Sequence, residues 1–157
     1  PSNKAFKSTD WLTKEEYENA RDMYQAYLLF LAAYPGIFSI FYGDEAGMQG
    51  LNNLVNPRPF PWGREDPKLV SYFRELGNFR KKYPFLKDAD FRLIELTPDV
   101  VKFERRSDSE KAFVMINNSE SIQDVLVPSE YEDGEEAFSL KKSYQKLYPY
   151  GGIVVKK

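Results

Sequence analysis

The sequence predicts an α/β segment followed by an all-β module, and three observations carry that reading. No charged residue occurs from Gln25 to Gly43, and Pro35-Gly36 splits this stretch into a helical pattern and a short, continuously apolar run. A second helical pattern follows an Asp-Pro start at Asp66-Pro67. From about Ala89 the pattern shortens to strand-like segments separated by turn residues. The boundary falls near Lys87, giving segments 1–87 and 88–157.

The first helix is expected to open at Thr13, because Thr13-Lys-Glu-Glu16 is a capping box in which Thr13 and Glu16 satisfy each other's backbone amides. Tyr17, Ala20, Tyr24, Tyr27, Leu28 and Leu31 recur at helical spacing and predict its buried face. Ile37–Tyr42 is apolar everywhere except Ser39, which predicts a strand covered on both faces, as in a parallel sheet. A Gly-, Asn- and Pro-rich loop runs from Gly43 to about Asp66, and its length marks it as functional or lid-like. Leu69, Tyr72, Phe73, Leu76, Phe79 and Tyr83 predict the buried side of the second helix, which Pro84 ends.

The all-β module is expected to use Phe91–Leu96, Val100–Arg106, Lys111–Asn117, Ile122–Val127, Glu136–Leu140 and Gly152–Lys156. Turns at Thr97-Pro98-Asp99, Ser107-Asp108-Ser109 and Asp133-Gly134 separate several of them. Short strands at this spacing predict an antiparallel β-sandwich or barrel.

Composition narrows the function. The 157 residues carry 22 basic and 24 acidic side chains, a net charge of −2, with the signs interspersed. That balance offers no basic face for nucleic acid. Cysteine and histidine are both absent, which excludes disulfides, thiolate or imidazole metal sites, and triads that need histidine. No metal and no cofactor is expected. The uncharged stretch falls short of a membrane span, which needs roughly 20 predominantly apolar residues, because Pro35-Gly36 interrupts it. Pro1 to Asp10 lacks the apolar core of a signal peptide, and the absence of cysteine fits the cytosol.

The candidate site is the end of the apolar run, where Tyr42-Gly43 leads into Asp44 and Glu45. Two carboxyl groups share acid–base or nucleophilic work only when both face one substrate atom. Neighbours on a strand point to opposite faces, so Asp44 and Glu45 do not converge on one substrate atom. They are expected to line the mouth of a site or to support it from behind, with Tyr42 beside them. Phe60, Trp62 and Tyr42 offer flat apolar surfaces for sugar rings, and the competing expectation is that Phe60 and Trp62 anchor the loop.

The wording of 34–62, above all Ile40-Phe-Tyr-Gly-Asp-Glu-Ala-Gly-Met48 and Pro59-Phe-Pro-Trp62, resembles the last barrel strand and following loop of the alpha-amylase superfamily of glycoside hydrolases, in particular its neopullulanase, maltogenic amylase and pullulanase-like members. The resemblance is good over 63–86. It is diffuse beyond, at Val101-Lys-Phe-Glu-Arg-Arg106, Val114-Met-Ile-Asn-Asn118 and Pro149-Tyr-Gly-Gly152. It implies the C-terminal part of a (β/α)₈ TIM barrel (helix 7, strand 8, helix 8) over 1–87, and a C-terminal β-sandwich, domain C, over 88–157.

The resemblance further implies an α-glucan or maltooligosaccharide substrate for the parent enzyme and retaining cleavage. The catalytic carboxylate trio lies on earlier strands, so no residue of this chain is assigned a catalytic role. Related loops read Asp-Pro-x-Asn-Arg-Arg-Pro-Phe-Pro-Trp, where the first Asp and first Arg hold a glucose. Here the aligned positions carry Asn53, Asn56, Pro57 and Arg58, so an amide replaces the acid and Pro57 the first Arg. Asn53, Asn56 and Arg58 are the candidate substrate contacts. The rest of the barrel, or self-association through Gln25–Tyr42, is the expected protein partner, since a lone parallel strand leaves both edges open.

Overall fold

The computed structural model describes residues 11–50 and 59–157. Helix α1 spans Lys14–Ala33. It starts as expected: the Glu16 amide donates to the Thr13 hydroxyl at 3.3 Å, and the Thr13 amide donates to the Glu16 carboxylate at 2.8 Å. The chain turns extended at Tyr34, before Pro35.

The buried face of α1 differs from the expected one. Ala26, Leu28, Leu29, Ala32 and Ala33 are buried, whereas Ala20 and Tyr27 are exposed and Tyr17, Tyr24 and Leu31 are half-buried. The helix is apolar around much of its circumference, and close approach to the sheet selects the side with small residues. Gly152 permits that approach, because a Cβ there would stand 2.6 Å from Leu29 Cδ2.

Residues 37–42 form no strand, contrary to expectation. Phe38 packs on the core with its ring 6.3 Å from Phe73, but Ile37 is 86% and Phe41 78% exposed. A strand exists only where a neighbour takes up its backbone groups, and the described residues contain no parallel pair. Gly43 (φ 88°) turns the chain into a 3₁₀ turn at Asp44–Ala46, and Gly47 (φ 72°) turns it out again. Both φ values belong to the left-handed region that glycine adopts without steric cost.

Helix α2 spans Pro67–Lys82, and the Asp66 carboxylate accepts the Lys68 and Leu69 amides at 2.8 and 3.2 Å. Leu69, Tyr72, Phe73, Leu76, Phe79 and Tyr83 are all buried, as their spacing predicts. Arg80, Lys81 and Lys82 in the last turn complement the helix dipole.

Six antiparallel strands follow: β1 Asp90–Leu96, β2 Val100–Arg106, β3 Lys111–Asn117, β4 Gln123–Asp124, β5 Glu135–Ser143 and β6 Lys146–Lys156. Their order is β1-β2-β3-β6-β4, with β5 also paired to β6. The expected strand at Ile122–Val127 shrinks to β4. The rest of it covers the sheet, with Val125 buried and Leu126 exposed. The last two strands run longer than expected and form a hairpin, because Ser143 pairs Lys146 across a tight turn.

Both faces of the sheet are covered. Phe103, Ala112, Val114, Ile116 and Val154 pack with the helices in one hydrophobic cluster. On the far face Phe113, Met115, Ile153 and Val155 meet Val125, Tyr131 and Leu147. This is the strand period of two read out as two cores.

Arg105, fully buried on β2, ties sheet to helix by donating to the carbonyls of Ala33, Ala89 and Asp90. Arg80 on α2 donates to Ala32, Tyr34 and Gly36. The two guanidiniums thus close on the carbonyl end of α1.

Candidate functional site

Asn53, Asn56 and Arg58 lie outside the described residues. Tyr42, Asp44 and Glu45 lie inside them, on the approach to and in the 3₁₀ turn between the two helices. The Tyr24 hydroxyl on α1 donates to Asp44 Oδ2 at 2.8 Å, and the Gly43 amide donates to Glu45 Oε2 at 3.1 Å. Burial, reinforced by Asp44, pushes the Tyr24 hydroxyl well above the usual tyrosine range. The two neighbouring acids are therefore held by different partners, one by α1 and the other by its own turn.

A second acid organises the same region. Asp66 caps α2 and accepts from the Tyr17 hydroxyl at 2.8 Å and from Arg21 Nη1 at 3.3 Å. Its amide donates to Ala46, which fastens the 3₁₀ turn to the start of α2. Burial pushes the Asp66 carboxyl up, but Tyr17, the Leu69 and Lys68 amides and Arg21 outweigh it and hold it below the usual range. Burial and Asp66 push Tyr17 up to about 12. Arg21 is nine-tenths buried, and its Nε has no partner among the described residues. Sequence reasoning found Asp66 as a cap and missed Tyr17 and Arg21 as its partners, since 45 or more residues separate them from it.

Tyr17, Arg21, Tyr24, Asp44, Met48 and Leu69 line a groove of about 340 Å³ between α1, the 3₁₀ turn and α2. Beside it the loop aromatics form a chain. Tyr42 meets Phe60 edge-on at 6.0 Å, and Phe60 lies 4.6 Å from Trp62. Phe60 is half-buried, in keeping with an anchor, whereas Trp62 is 81% exposed.

Among the described residues no group of three acidic side chains is placed to hold a metal ion, and no helix is long and apolar enough to cross a membrane. The arrangement offers hydrogen-bond acceptors and aromatic surface. Asp44 and Glu45 already accept hydrogen bonds from the protein, which occupies the oxygens that acid–base work would use.

No family model matches the chain. It is 45% identical over 73 residues to an amylopullulanase of Thermoanaerobacter thermohydrosulfuricus, covering 46% of this chain and 5% of that protein. An amylopullulanase of Thermoanaerobacterium saccharolyticum is 34% identical over 105 residues, 60% of this chain and 8% of the relative. The chain thus spans under a tenth of the length of these curated relatives. Among solved structures, the maltogenic amylase from S. marinus superposes with a TM-score of 0.72 at 22% identity, over 86% of this chain and 19% of that one. At that identity the likeness shows the fold alone. Sequence and fold together make the chain a partial match to the alpha-amylase superfamily of glycoside hydrolases, neopullulanase- and maltogenic-amylase-like, corresponding to their C-terminal region.

Proposed function

We propose that this chain is the C-terminal part of an α-glucan-acting, retaining glycoside hydrolase. In this reading residues 1–87 close a TIM barrel, with α1, 37–42 and α2 as its seventh helix, eighth strand and eighth helix, and 88–157 are domain C. The observation that carries it is the apolar run 37–42, which lies open beside two packed helices and ends at Asp44 and Glu45. Neighbouring parallel strands would take up its backbone groups and cover Ile37, Ile40 and Phe41, and would place Tyr42, Asp44 and Glu45 at the mouth of the barrel. Asn53, Asn56 and Arg58 then reach the bound oligosaccharide from the following loop.

The chain on its own is inactive in this reading, because barrel catalysis draws on several strand ends. The test is reducing-sugar release from starch, pullulan and maltoheptaose by the parent and by the isolated chain. The parent is expected to release sugar and the chain to release none. A parent that neither hydrolyses nor binds these substrates overturns the proposal. The second reading, a non-catalytic relative that binds sugar or a partner, draws on Asn53 and Pro57, which replace the charged pair of related loops. It predicts binding without release.

A further inference from the structure

A groove of about 580 Å³ lies on the far face of the sheet, away from α1 and α2, between residues 125–127 and the β5–β6 hairpin. Its floor is apolar: Val125, Ile153 and Val155 belong to the second hydrophobic cluster. Its rim is polar, with Glu132 and Glu136 against the single base Lys142. Lys142 and Glu136 pair at 2.8 Å, and Glu132, Gln145 and Tyr144 stand along the edge.

Tyr144 is the unusual member. It is 92% exposed and sits at φ 49° in the two-residue turn between Ser143 and Lys146. Positive φ in such turns favours glycine, asparagine or aspartate, and a bulky residue there is strained. A strained residue that also exposes its ring points to a use beyond folding.

We infer that this groove binds a segment of linear α-1,4-glucan, with Tyr144 stacking on a pyranose ring. The inference rests on the α-glucan reading above. An apolar floor suits the C–H faces of sugars, and the carboxylate, amide and phenol at the rim suit their hydroxyls. The Lys142–Glu136 pair cancels its own charge and Glu132 leaves the rim net negative, which disfavours an anionic ligand and leaves a neutral sugar free to bind. The groove faces away from the helices, so completing a barrel around them does not require this face.

The test is retention of the chain on immobilised amylose, competed by maltoheptaose, with dextran as the control matrix. Tyr144→Gly removes the ring and relieves the turn, so it is expected to unfold in urea at an equal or higher midpoint while binding about tenfold more weakly. Tyr144→Trp is expected to keep binding. No retention of the unsubstituted chain, equal retention of Tyr144→Gly, or equal retention on dextran overturns the site. The parent's hydrolysis of soluble maltoheptaose separates the two readings: cleavage by the parent without Tyr144-dependent retention removes the groove and leaves the α-glucan function standing.

Discussion

The Tyr24 hydroxyl donates to Asp44 at 2.8 Å, joining the middle of α1 to the turn that ends the apolar run. Glu45, one residue on, accepts instead from the Gly43 amide. Two adjacent acids are thus separated in role by which element reaches them.

Removing that bond has a measurable cost. Tyr24→Phe is expected to lower stability by about 1.5–3 kcal/mol, the range for a hydrogen bond to a charged group. Urea unfolding of Tyr24→Phe, Asp44→Asn and the double variant should show a coupling between the two, with the double variant losing less than the sum. Additive losses would mean that the bond contributes nothing.

The Tyr17–Asp66 pair predicts a stability profile with two limbs. Asp66 has a depressed pKa in the folded chain, so its contribution is present above the unfolded value near 3.8 and is lost as pH falls through the lower folded value. Tyr17 is raised from 10.0 to about 12, so its contribution is complete below pH 10 and disappears as pH rises through 12. Asp66→Asn should flatten the acid limb of the urea midpoint in part, since Glu104 and Glu136 are also lowered. Tyr17→Phe should flatten the alkaline limb in part, since Tyr24 and Tyr131 are also raised.

Arg105→Met leaves the carbonyls of Ala33, Ala89 and Asp90 without their donor inside the core. A loss of about 3 kcal/mol or more is expected, with Arg105→Lys recovering only part because a single ammonium cannot match a planar fork. Burial and the nearby Arg80 already push the Arg105 guanidinium down to about 10, against an opposing pull from Tyr34 and Asp90. Thermal unfolding followed by circular dichroism measures the difference.

The open run at 37–42 predicts self-association of the isolated chain. Light scattering across a concentration series should show growth, and Ile37→Asp with Phe41→Asp should suppress it, since both side chains are largely exposed. A monomeric unsubstituted chain would contradict the expectation.

In the parent, Asn53→Asp with Pro57→Arg restores the charged pair of related loops. It is expected to raise oligosaccharide affinity about tenfold through charge-assisted hydrogen bonds. Unchanged binding by titration calorimetry would remove this loop from substrate contact.

How much of this was legible in the sequence varied by element for physical reasons. Helix α2 has one apolar stripe, so its spacing alone named all six buried residues from Leu69 to Tyr83. Strands β2 and β3 were bounded correctly because turn residues flank them on both sides. Helix α1 carries apolar residues on several faces, and only packing against β6 and β3 decides that Leu29 and Ala32 go inside while Tyr27 stays out. Continuous apolarity at 37–42 spelled a buried strand, yet a ladder needs partners that local sequence does not provide. In the site, Asp44 and Glu45 were visible as a motif. Their partners Tyr24 and Gly43, and the Tyr17–Arg21–Asp66 cluster, depend on how α1 lies across the turn, which no spacing rule reports.

Strand β6 is the hub of the sheet, pairing with β3, β4 and β5, and it follows all three in the chain. A ribosome therefore delivers every other strand before the one that joins them. Until Lys146–Lys156 clears the exit tunnel, β3 has only β2 beside it, and the edge that β6 will take stays unpaired. Sheet closure is a post-emergence event, and the interval before it is when a chaperone has most to hold. A nascent chain stalled before Lys146 should be protease-sensitive throughout 90–143, and one stalled after Lys146–Lys156 has emerged should not be.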